Sequence, residues 1–409
     1  MRSKITGTAS RTIVASVLAL SLGTSAAGRL ASADRSIILT KPFTIVSADR
    51  MPPVLSDKLD RLARIDPDHP VKPDGDSQTL SLFGREDLIA ASSKDYKPTG
   101  CTPFASGTDV LAEIERMARR TSIVIVNESH EQSVTREFAA DVARRLRPLG
   151  YDTLAMETLS NPPLDVPARY LPTFLKQPQL PYLSDDDGHY LSEAGYGRLG
   201  RQAKALGYGL LRYEYNGYGG SNEQVSISEQ IARREEGQAS NLAAFLKAHP
   251  ATKLLVYVGY SHAIEVPDPD GTKWMAARLK DKTGIDPLTI SQTTCRGGSD
   301  APRLAIPPSD VPAGAFDLVV DHPIERFTRG RPAWRKAKGD RVVAIPKGLR
   351  PLSGWRVIEA RPVGEPDTSV PLDRVAIRPG DDTALMLPPG RYSVRVIEVR
   401  PIKDAPVQK

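Results

Sequence analysis

The stretch from Thr121 to Ser160 constrains the fold more than any other part of the chain. It begins with a continuous apolar run, Ile123–Val126, that ends abruptly in polar residues. Apolar residues four positions apart follow, and a second short apolar run, Leu154–Met156, ends in Glu157. A strand, a helix and a second strand in this order predict a βαβ unit of a parallel sheet. Since open parallel sheets bind ligands beyond the carboxyl ends of their strands, the polar residues at these ends are the first candidates for a site.

The alternation of strands and helices continues beyond this unit to about residue 295. Further short apolar runs occur at 209–213, 254–258 and 288–290, and segments with helical spacing separate them. This pattern predicts an α/β fold, with a mainly parallel sheet that is flanked by helices. After residue 300 the chain has proline-rich breaks and short alternating runs, which predict a small β-rich C-terminal domain. The predicted organisation is therefore a signal peptide at 1–33, an N-terminal extension at 34–106, the α/β domain at 107–300 and the β-rich domain at 301–409.

The first 33 residues differ in character from the rest of the chain. Basic residues precede the apolar run Ile13–Leu22, and the small residues Ala31-Ser32-Ala33 follow it. This arrangement predicts a secretory signal peptide that is cleaved before Asp34. The alternative, a membrane anchor that is not cleaved, needs a longer apolar run. We therefore expect a periplasmic or secreted protein, with no integral membrane segment once the signal has been removed.

Charge and cysteine content narrow the expected partners and compartment. The formal net charge is +6, but the signal holds four basic residues and no acidic ones, so the mature chain carries +2. This balance gives no reason to expect a nucleic-acid partner, and we expect a small-molecule or peptide substrate instead. Cys101 and Cys295 are the two cysteines of the 409-residue sequence, and they bracket the α/β region. In an oxidising compartment we expect them to form a disulfide, the alternative being two buried thiols.

Ionisable residues follow several of the predicted strands. Glu128 and His130 follow the first strand, Glu157 follows the second, and His262 follows the strand at 254–258. Neighbouring parallel strands bring such residues to one cleft. Two chemistries are open for this set. His130, His262 and Glu157 would bind a divalent metal ion with an open position for water, or a histidine would act as a general base on water while a carboxylate orients it.

Three other polar residues near these positions are weaker candidates. Glu214 ends the strand at 209–213, and its pattern fits a site residue and an exposed residue equally well. Arg233 and Arg234 lie on a long predicted helix after residue 223. Two positions are open for these arginines: contact with the carboxylates of the site, or a solvated helix face. We expect the solvated face, which is the usual place for charged residues of a polar-rich helix.

The motifs that carry these residues resemble those of a known superfamily. They are Asn127-Glu128-Ser129-His130, Ala155-Met156-Glu157 and Gly259-Tyr260-Ser261-His262. The order is similar to that of the superfamily that joins the erythromycin esterases, the haem-uptake protein ChaN and the Tiki proteases, in which a strand ends in G-E-x-H or G-x-x-H, the next ends in Glu, and a later one ends in G-x-x-H. Asn127 stands where that pattern has glycine. The resemblance spans residues 107–295.

The resemblance implies that Glu128, His130, Glu157 and His262 line the site, but its members differ in chemistry. Some resemble hydrolases with a histidine-activated water, some are metal-dependent proteases, and others bind haem. We therefore expect an exported hydrolase, esterase-like or metalloprotease-like, that uses these four residues and holds a divalent metal ion or works without one. The main alternative is a haem- or ligand-binding protein without turnover. In that case a histidine is the axial ligand, and the pocket is lined by tyrosines at positions Tyr196, Tyr213 or Tyr260. A third hypothesis places binding in the C-terminal β-rich domain.

Overall fold

The computed structural model describes residues 36–66, 75–104, 107–217 and 225–399, so the predicted signal peptide lies outside the described residues. The helices are α1 (Pro53–Arg64), α2 (Gly75–Leu82), α3 (Glu86–Ile89), α4 (Val110–Ala118), α5 (Val134–Leu146), α6 (Thr173–Lys176), α7 (Ala194–Ala205), α8 (Ile227–Ala248), α9 (Met275–Thr283) and α10 (Trp334–Ala337). The strands are β1 (Ile37–Ser47), β2 (Thr102–Pro103), β3 (Ile123–Glu128), β4 (Tyr151–Met156), β5 (Gly209–Leu211), β6 (Lys253–Gly259), β7 (Leu288–Arg296), β8 (Arg303–Ile306), β9 (Leu318–His322), β10 (Phe327–Thr328), β11 (Arg331–Pro332), β12 (Arg341–Val343), β13 (Trp355–Pro362), β14 (Asp373–Ile377), β15 (Leu385–Leu387) and β16 (Gly390–Val399).

An eight-stranded sheet forms the centre of the fold, in the order β2-β8-β9-β7-β3-β6-β4-β5. The strands from β9 to β5 pair in parallel, and β8 and β2 extend the sheet at one edge with antiparallel pairing. Short connections cannot link parallel neighbours, so helices cross between them. The predicted α/β class with a mainly parallel sheet is confirmed.

The residues of β3 explain why this strand lies in the middle of the sheet. Ile123 and Ile125 pack on one face against residues of α8 and α9. Val124 and Val126 point to the opposite face and pack with residues of α4, α5 and α7. Because successive side chains alternate between the faces, a strand that is covered on both sides needs an unbroken apolar run. Burial of each of these side chains stabilises the fold by about 1.5–3 kcal/mol.

A second sheet contains strands from both ends of the described chain. Its order is β1-β16-β13-β14, and β1 runs parallel to β16. Leu55, Leu59 and Leu62 of α1 pack in one cluster with Trp355 and Val357 of β13. A separate pair of strands, β12 and β15, lies nearby in sequence. The β-rich character predicted for the C-terminal region is confirmed, and residues of the N-terminal extension contribute a strand to it.

The central sheet extends beyond residue 300, where the sequence placed the end of the α/β domain. β8 and β9 both belong to this sheet, and β9 pairs directly with β7. Their apolar runs are short and lie between prolines, so the sequence suggested that they belong to the following β-rich region. The division of the chain into domains remains a prediction.

A disulfide joins Cys101, next to β2, to Cys295 of β7, with Cα atoms 5.8 Å apart. It connects the residues before the central sheet to a strand inside it, so the predicted pairing is confirmed. Within the described ranges, every helix is too short or too polar to span a lipid bilayer.

Candidate functional site

Three neighbouring strands bring the predicted residues to one edge of the central sheet. β6 lies between β3 and β4, and all three run in the same direction. Glu128 ends β3, Glu157 follows β4, and Gly259 ends β6 just before the short helical turn that carries His262. His130 lies two residues beyond β3. The structure therefore places the four residues that the sequence singled out at the same carboxyl edge.

His130 and Glu128 form a hydrogen-bonded pair. Nδ1 of His130 lies 3.0 Å from Oε1 of Glu128, and the hydroxyl of Tyr196 donates to the same oxygen. The imidazole packs between Tyr190 and Tyr260, with ring centroids 4.8 and 5.1 Å away. The side chain of His130 is 23% exposed, whereas that of Glu128 is buried. Of the pair, only the histidine ring is open to a ligand.

Electrostatics keep Glu128 ionised although it is buried. Burial raises the pKa of Glu128, but the positive charge of Arg136 and the hydrogen bond from His130 outweigh this effect and lower it. Nε of Arg136 lies 3.5 Å from Oε2 of Glu128. An ionised carboxylate only accepts hydrogen bonds, so Nδ1 of His130 must carry the proton. This fixes the tautomer of a neutral His130 and leaves Nε2 with a free lone pair.

Arg234 of α8 holds two carboxylates at the centre of the site. It donates to Oε1 of Glu157, and its Nε and Nη2 atoms donate to Glu214 at 3.0 and 2.5 Å. Oε2 of Glu157 accepts from the backbone N–H of Gly259 at 2.5 Å. Burial raises the pKa of Glu157, but His262 and Arg234 outweigh burial and hold the pKa at about 2. Glu157 is therefore a fixed anion at any physiological pH.

His262 is held by a second carboxylate on the opposite side from Glu157. Its Nδ1 lies 2.6 Å from Oε1 of Glu235, although the N–H direction is poorly aligned with that oxygen. Its Nε2 lies 3.5 Å from Oε1 of Glu157. Nη1 of Arg234 donates to the same Nε2 at 3.3 Å. Burial lowers the pKa of His262, but the two carboxylates outweigh it and raise the pKa. Oε2 of Glu235 in turn accepts from the backbone of Met275, at the N-terminus of α9, where a negative charge is favoured.

Gly259 is the point where the two halves of the site meet. A Cβ atom on this residue would lie 2.8 Å from Cε1 and 2.9 Å from Nε2 of His130, and 3.0 Å from Oε2 of Glu157. Such distances are too short for carbon, so a side chain at this position would displace one of the two groups. The glycine of the G-x-x-H motif is therefore required by the close approach of His130 and Glu157 to the backbone.

Asn127 and Ser129 hold the loops around the site in place. The Asn127 side chain donates to the carbonyl of Tyr260 at 2.8 Å and accepts from the backbone of Gln292 at 2.7 Å. Tyr260 has a φ of +33°, which is uncommon for a residue with a side chain and needs support from its surroundings. Ser129 donates to Asp95 of the N-terminal extension and lies 3.2 Å from the hydroxyl of Tyr260. Asn127 thus serves as a structural clamp rather than as a reacting group.

The sequence pattern indicated the wrong environment for one site residue and did not indicate another. Arg234 was assigned to a solvated face, and this prediction is wrong for Arg234, because its guanidinium bridges Glu157 and Glu214. Glu235 was not considered at all. A signal for it exists: the buried stripe of α8, which contains Leu242 and Leu246, reaches Glu235 when it is continued toward the N-terminus at helical spacing. An ionisable side chain on this buried stripe, such as Glu235, faces the protein interior rather than solvent.

The arrangement does not fit the first of the two chemistries left open by the sequence, a divalent metal ion on His130, His262 and Glu157. Both oxygens of Glu157 are occupied, one by Arg234 and the other by the Gly259 N–H. Nε2 of His262 accepts a hydrogen bond from Arg234, so the guanidinium occupies the position between the ligands and would repel a metal ion. Throughout the described ranges, no cluster of three or more His, Cys, Asp or Glu side chains has a geometry that suits a metal.

The tyrosines expected around a haem are committed to other contacts. Tyr196 is buried and donates to Glu128, and Tyr213 is buried with its hydroxyl 3.2 Å from the carbonyl of Tyr257. Tyr260 packs edge-on against His130 and lies 3.1 Å from Asp95 through its hydroxyl. Nε2 of His130 is the one imidazole nitrogen of the two site histidines that makes no hydrogen bond or ion pair in the described part of the chain.

Several solved structures share weak likeness with this chain. The type III effector HopBA1 is 12% identical with a TM-score of 0.34, and the match covers 55% of this chain and 97% of HopBA1. RRSP, a MARTX toxin effector domain from Vibrio vulnificus, is 14% identical with a TM-score of 0.36, and the match covers 66% of this chain and 50% of RRSP. ChaN of Campylobacter jejuni, described with cofacial haem binding, is 9% identical with a TM-score of 0.34, over 51% of this chain and 90% of ChaN. No protein-family model and no curated protein match the chain. Likeness at this level establishes neither a family nor an activity.

Proposed function

We propose that this protein is a metal-independent hydrolase of the esterase type, in which His130 is the general base that activates water. The observation that carries this proposal is the His130–Glu128 pair. Glu128 is buried and ionised and accepts a hydrogen bond from the Nδ1–H of His130, so the free lone pair is on Nε2 of a partly exposed ring. A general base needs this combination of an oriented ring, a fixed tautomer and access to the substrate.

Acyl transfer also needs a group that stabilises the negative charge on the carbonyl oxygen, and Arg234 is placed to supply it. Arg234 has five N–H donors, and its contacts with Glu157, Glu214 and His262 leave one N–H of Nη1 without a partner in the described residues. Its side chain is 29% exposed. A cation with an available donor at the same edge of the sheet stabilises the negative charge that develops on a carbonyl oxygen.

In this proposal the reaction has two steps. Nε2 of His130 accepts a proton from water while the water oxygen bonds to the carbonyl carbon, and the π electrons of the carbonyl move to its oxygen, next to Arg234. The tetrahedral intermediate then re-forms the carbonyl and breaks the bond to the leaving alkoxide, which takes the proton from Nε2. The imidazolium formed in between is stabilised by Glu128, whose negative charge is 3.0 Å from Nδ1. His130 and Glu128 return to their starting state.

Glu157, Glu214, Glu235 and His262 have a positioning role in this scheme. Glu157 and Glu214 bind Arg234 directly, and Glu235 binds His262, which contacts both Arg234 and Glu157. These contacts fix the orientation of the Arg234 side chain. We further infer that the protein acts after export, and its disulfide supports an oxidising compartment. We also propose that the chain is related to the superfamily of erythromycin esterases, ChaN and Tiki proteases, and that its chemistry is esterase-like.

The test measures hydrolysis of p-nitrophenyl acetate and p-nitrophenyl butyrate by wild type, His130→Gln and Glu128→Gln. Glutamine at 130 keeps a polar side chain but cannot take a proton, so kcat/KM should fall by about 10²–10⁴-fold. His249→Gln is the matched control, since His249 is exposed at the end of α8 and should leave kcat/KM unchanged. Equal activity of His130→Gln and wild type, or no hydrolysis by wild type, would contradict the proposal. The appearance of a Soret band on titration with haem, lost in His130→Gln, would favour the binding protein without turnover instead.

A further inference from the structure

The loop that carries His130 is held by a short segment of the N-terminal extension. The hydroxyl of Tyr96 donates to the carbonyl of Glu131 at 2.8 Å. The side-chain amide of Gln132 donates to the carbonyl of Asp95 at 2.5 Å. These contacts fix the backbone beyond His130, whereas the imidazole ring depends on its own neighbours.

The side chain of Asp95 is buried and accepts two hydroxyl hydrogen bonds. Its Oδ2 lies 2.5 Å from the donating Oγ of Ser129 and 3.1 Å from the donating hydroxyl of Tyr260. Burial and the nearby charge of Asp95 raise the pKa of Tyr260, so the phenol keeps its proton and remains a donor. The same phenol oxygen accepts the backbone N–H of His130 at 3.3 Å. One atom of Tyr260 therefore connects Asp95 to His130.

The ring of Tyr260 also limits the space that the imidazole can occupy. It packs edge-on against His130 with ring centroids 5.1 Å apart and planes at 88°, and Tyr190 packs against the same imidazole at 4.8 Å. The two rings restrict rotation of the imidazole. Nδ1 of His130 therefore stays directed at Glu128, 3.0 Å away, and Nε2 stays free.

The backbone of Tyr260 needs outside support to hold its ring in this place. Its φ of +33° is unfavourable for a residue with a side chain and costs about 1–2 kcal/mol. Such a conformation persists only where the surroundings hold it. Asn127 binds the carbonyl of Tyr260 at 2.8 Å, and Asp95 binds the hydroxyl at the far end of the side chain. Without the contact to Asp95, we expect the ring to shift away from His130.

We propose that Asp95 is a positioning residue for His130 and that it acts through Tyr260. Asp95 holds the phenol, and the ring of Tyr260 holds the imidazole in the orientation that leaves Nε2 free. A residue of the N-terminal extension thus completes a site that is otherwise built at the edge of the central sheet. The expected effect on turnover rests on the proposed function, whereas the effect on the orientation of His130 does not.

The kinetic test uses p-nitrophenyl acetate with Asp95→Ala, Tyr260→Phe and the double variant. Either single change should lower kcat by about 10–10²-fold, the cost of displacing a reacting group by up to about 1 Å. KM should stay within about two-fold, because the buried Asp95 carboxylate does not touch the substrate. The double variant should lose no more than the weaker single variant retains, since both changes break one contact. Asp95→Asn keeps an oxygen acceptor and should recover most of the activity.

Tyr151→Phe is the matched control for loss of a buried tyrosine hydroxyl. That hydroxyl donates to the carbonyls of Ala118 and Thr121 at 3.0 Å each, at the start of β4 and away from the site. Tyr151→Phe should lower the free energy of unfolding but leave kcat unchanged. Wild-type kcat in Tyr260→Phe, multiplied losses in the double variant, a change in KM alone, or an equal loss of kcat in Tyr151→Phe would overturn the proposal.

The tautomer of His130 gives a second readout that needs no turnover. ¹⁵N NMR of the neutral imidazole, assigned with His130→Gln, should show the Nδ1–H form in wild type and in Tyr151→Phe. Asp95→Ala and Tyr260→Phe should show a mixture of the two tautomers, and Tyr260→Phe keeps its ring and serves alone if Asp95→Ala does not fold. If wild type hydrolyses no ester but the tautomers change in this way, the hydrolase proposal fails and the positioning role stands. Identical His130 signals in wild type and Tyr260→Phe would overturn the positioning role, whatever the activity.

Discussion

Replacement of Gly259 by alanine should impair the proposed base without unfolding the protein. Gly259 has φ −73° and ψ 144°, a conformation that any residue adopts, so the backbone tolerates the change. The added Cβ would stand 2.8 Å from Cε1 of His130 and 3.0 Å from Oε2 of Glu157. Since non-bonded carbon atoms prefer about 3.5–4.0 Å, relief of the contact with His130 requires a shift of about 0.7–1.2 Å.

A displacement of this size has different consequences for activity and for stability. A misplacement of about 1 Å in a reacting group costs about 10²-fold in rate, so kcat/KM for the p-nitrophenyl esters should fall by about 10–10²-fold. Overpacking typically costs about 1–3 kcal/mol in the free energy of unfolding, which urea denaturation can measure.

Gly348→Ala is the matched control for this variant. A Cβ on Gly348 meets no atom within 4 Å, so its activity and stability should remain those of wild type. If Gly259→Ala retained kcat/KM within two-fold of wild type, His130 and Glu157 would not need their present positions, and the reasoning would be refuted.

Three further predictions concern the disulfide, the clamp and the buried anion. The double variant Cys101→Ser/Cys295→Ser opens a loop with a sequence separation of 194 residues. The free energy of unfolding, measured by urea denaturation, should therefore fall by about 3–5 kcal/mol. No change would mean that the disulfide does not restrain the unfolded chain. Asn127→Gly removes the amide that contacts Tyr260 and Gln292, so it should destabilise the protein by about 2–4 kcal/mol. An equally stable variant would show that the clamp is dispensable. Glu157 has a pKa of about 2 against an ordinary 4.5, so its stabilising contribution, of about 3 kcal/mol, is complete above pH 4.5 and is lost as the pH falls toward 2. Wild type should therefore lose more stability than Glu157→Gln between pH 5 and pH 2, and equal losses would contradict the ion pair.

The parts of the fold that were predictable are those with a strong local pattern. The run Ile123–Val126 is apolar at every position, and the structure places it in the middle of a sheet that is covered on both faces. The disulfide followed from there being two cysteines and an expected oxidising compartment. β1, in contrast, pairs with β16 across almost the whole length of the chain, and no local pattern specifies such a partner. β8 and β9 pair within the central sheet, which the sequence did not indicate, because short strands between prolines resemble the strands of a small β module.

The placement of the candidate residues at one sheet edge was predictable, but the contacts that they make there were not. Strand ends located Glu128, Glu157 and His262, since parallel topology alone brings them to one edge. The role of Arg234 depends on a long-range contact between α8 and residues 20 and 77 positions earlier, which a local pattern does not reveal. A set of histidines and carboxylates fits a metal site or an acid–base site equally well until the position of a nearby cation is known. The guanidinium at the centre is the feature that favours a site without metal.

The most direct test of the central claim is kcat/KM for p-nitrophenyl acetate after complete removal of metal. Wild-type protein is dialysed against a chelator, its metal content is verified by mass spectrometry, and its activity is compared with that of untreated protein and of protein supplemented with Zn²⁺. Because Arg234 occupies the position that a metal ion would take between Glu157 and His262, we expect the three values to agree. Loss of activity on metal removal, with recovery on addition of Zn²⁺, would contradict the proposal that His130 and Arg234 act without a metal.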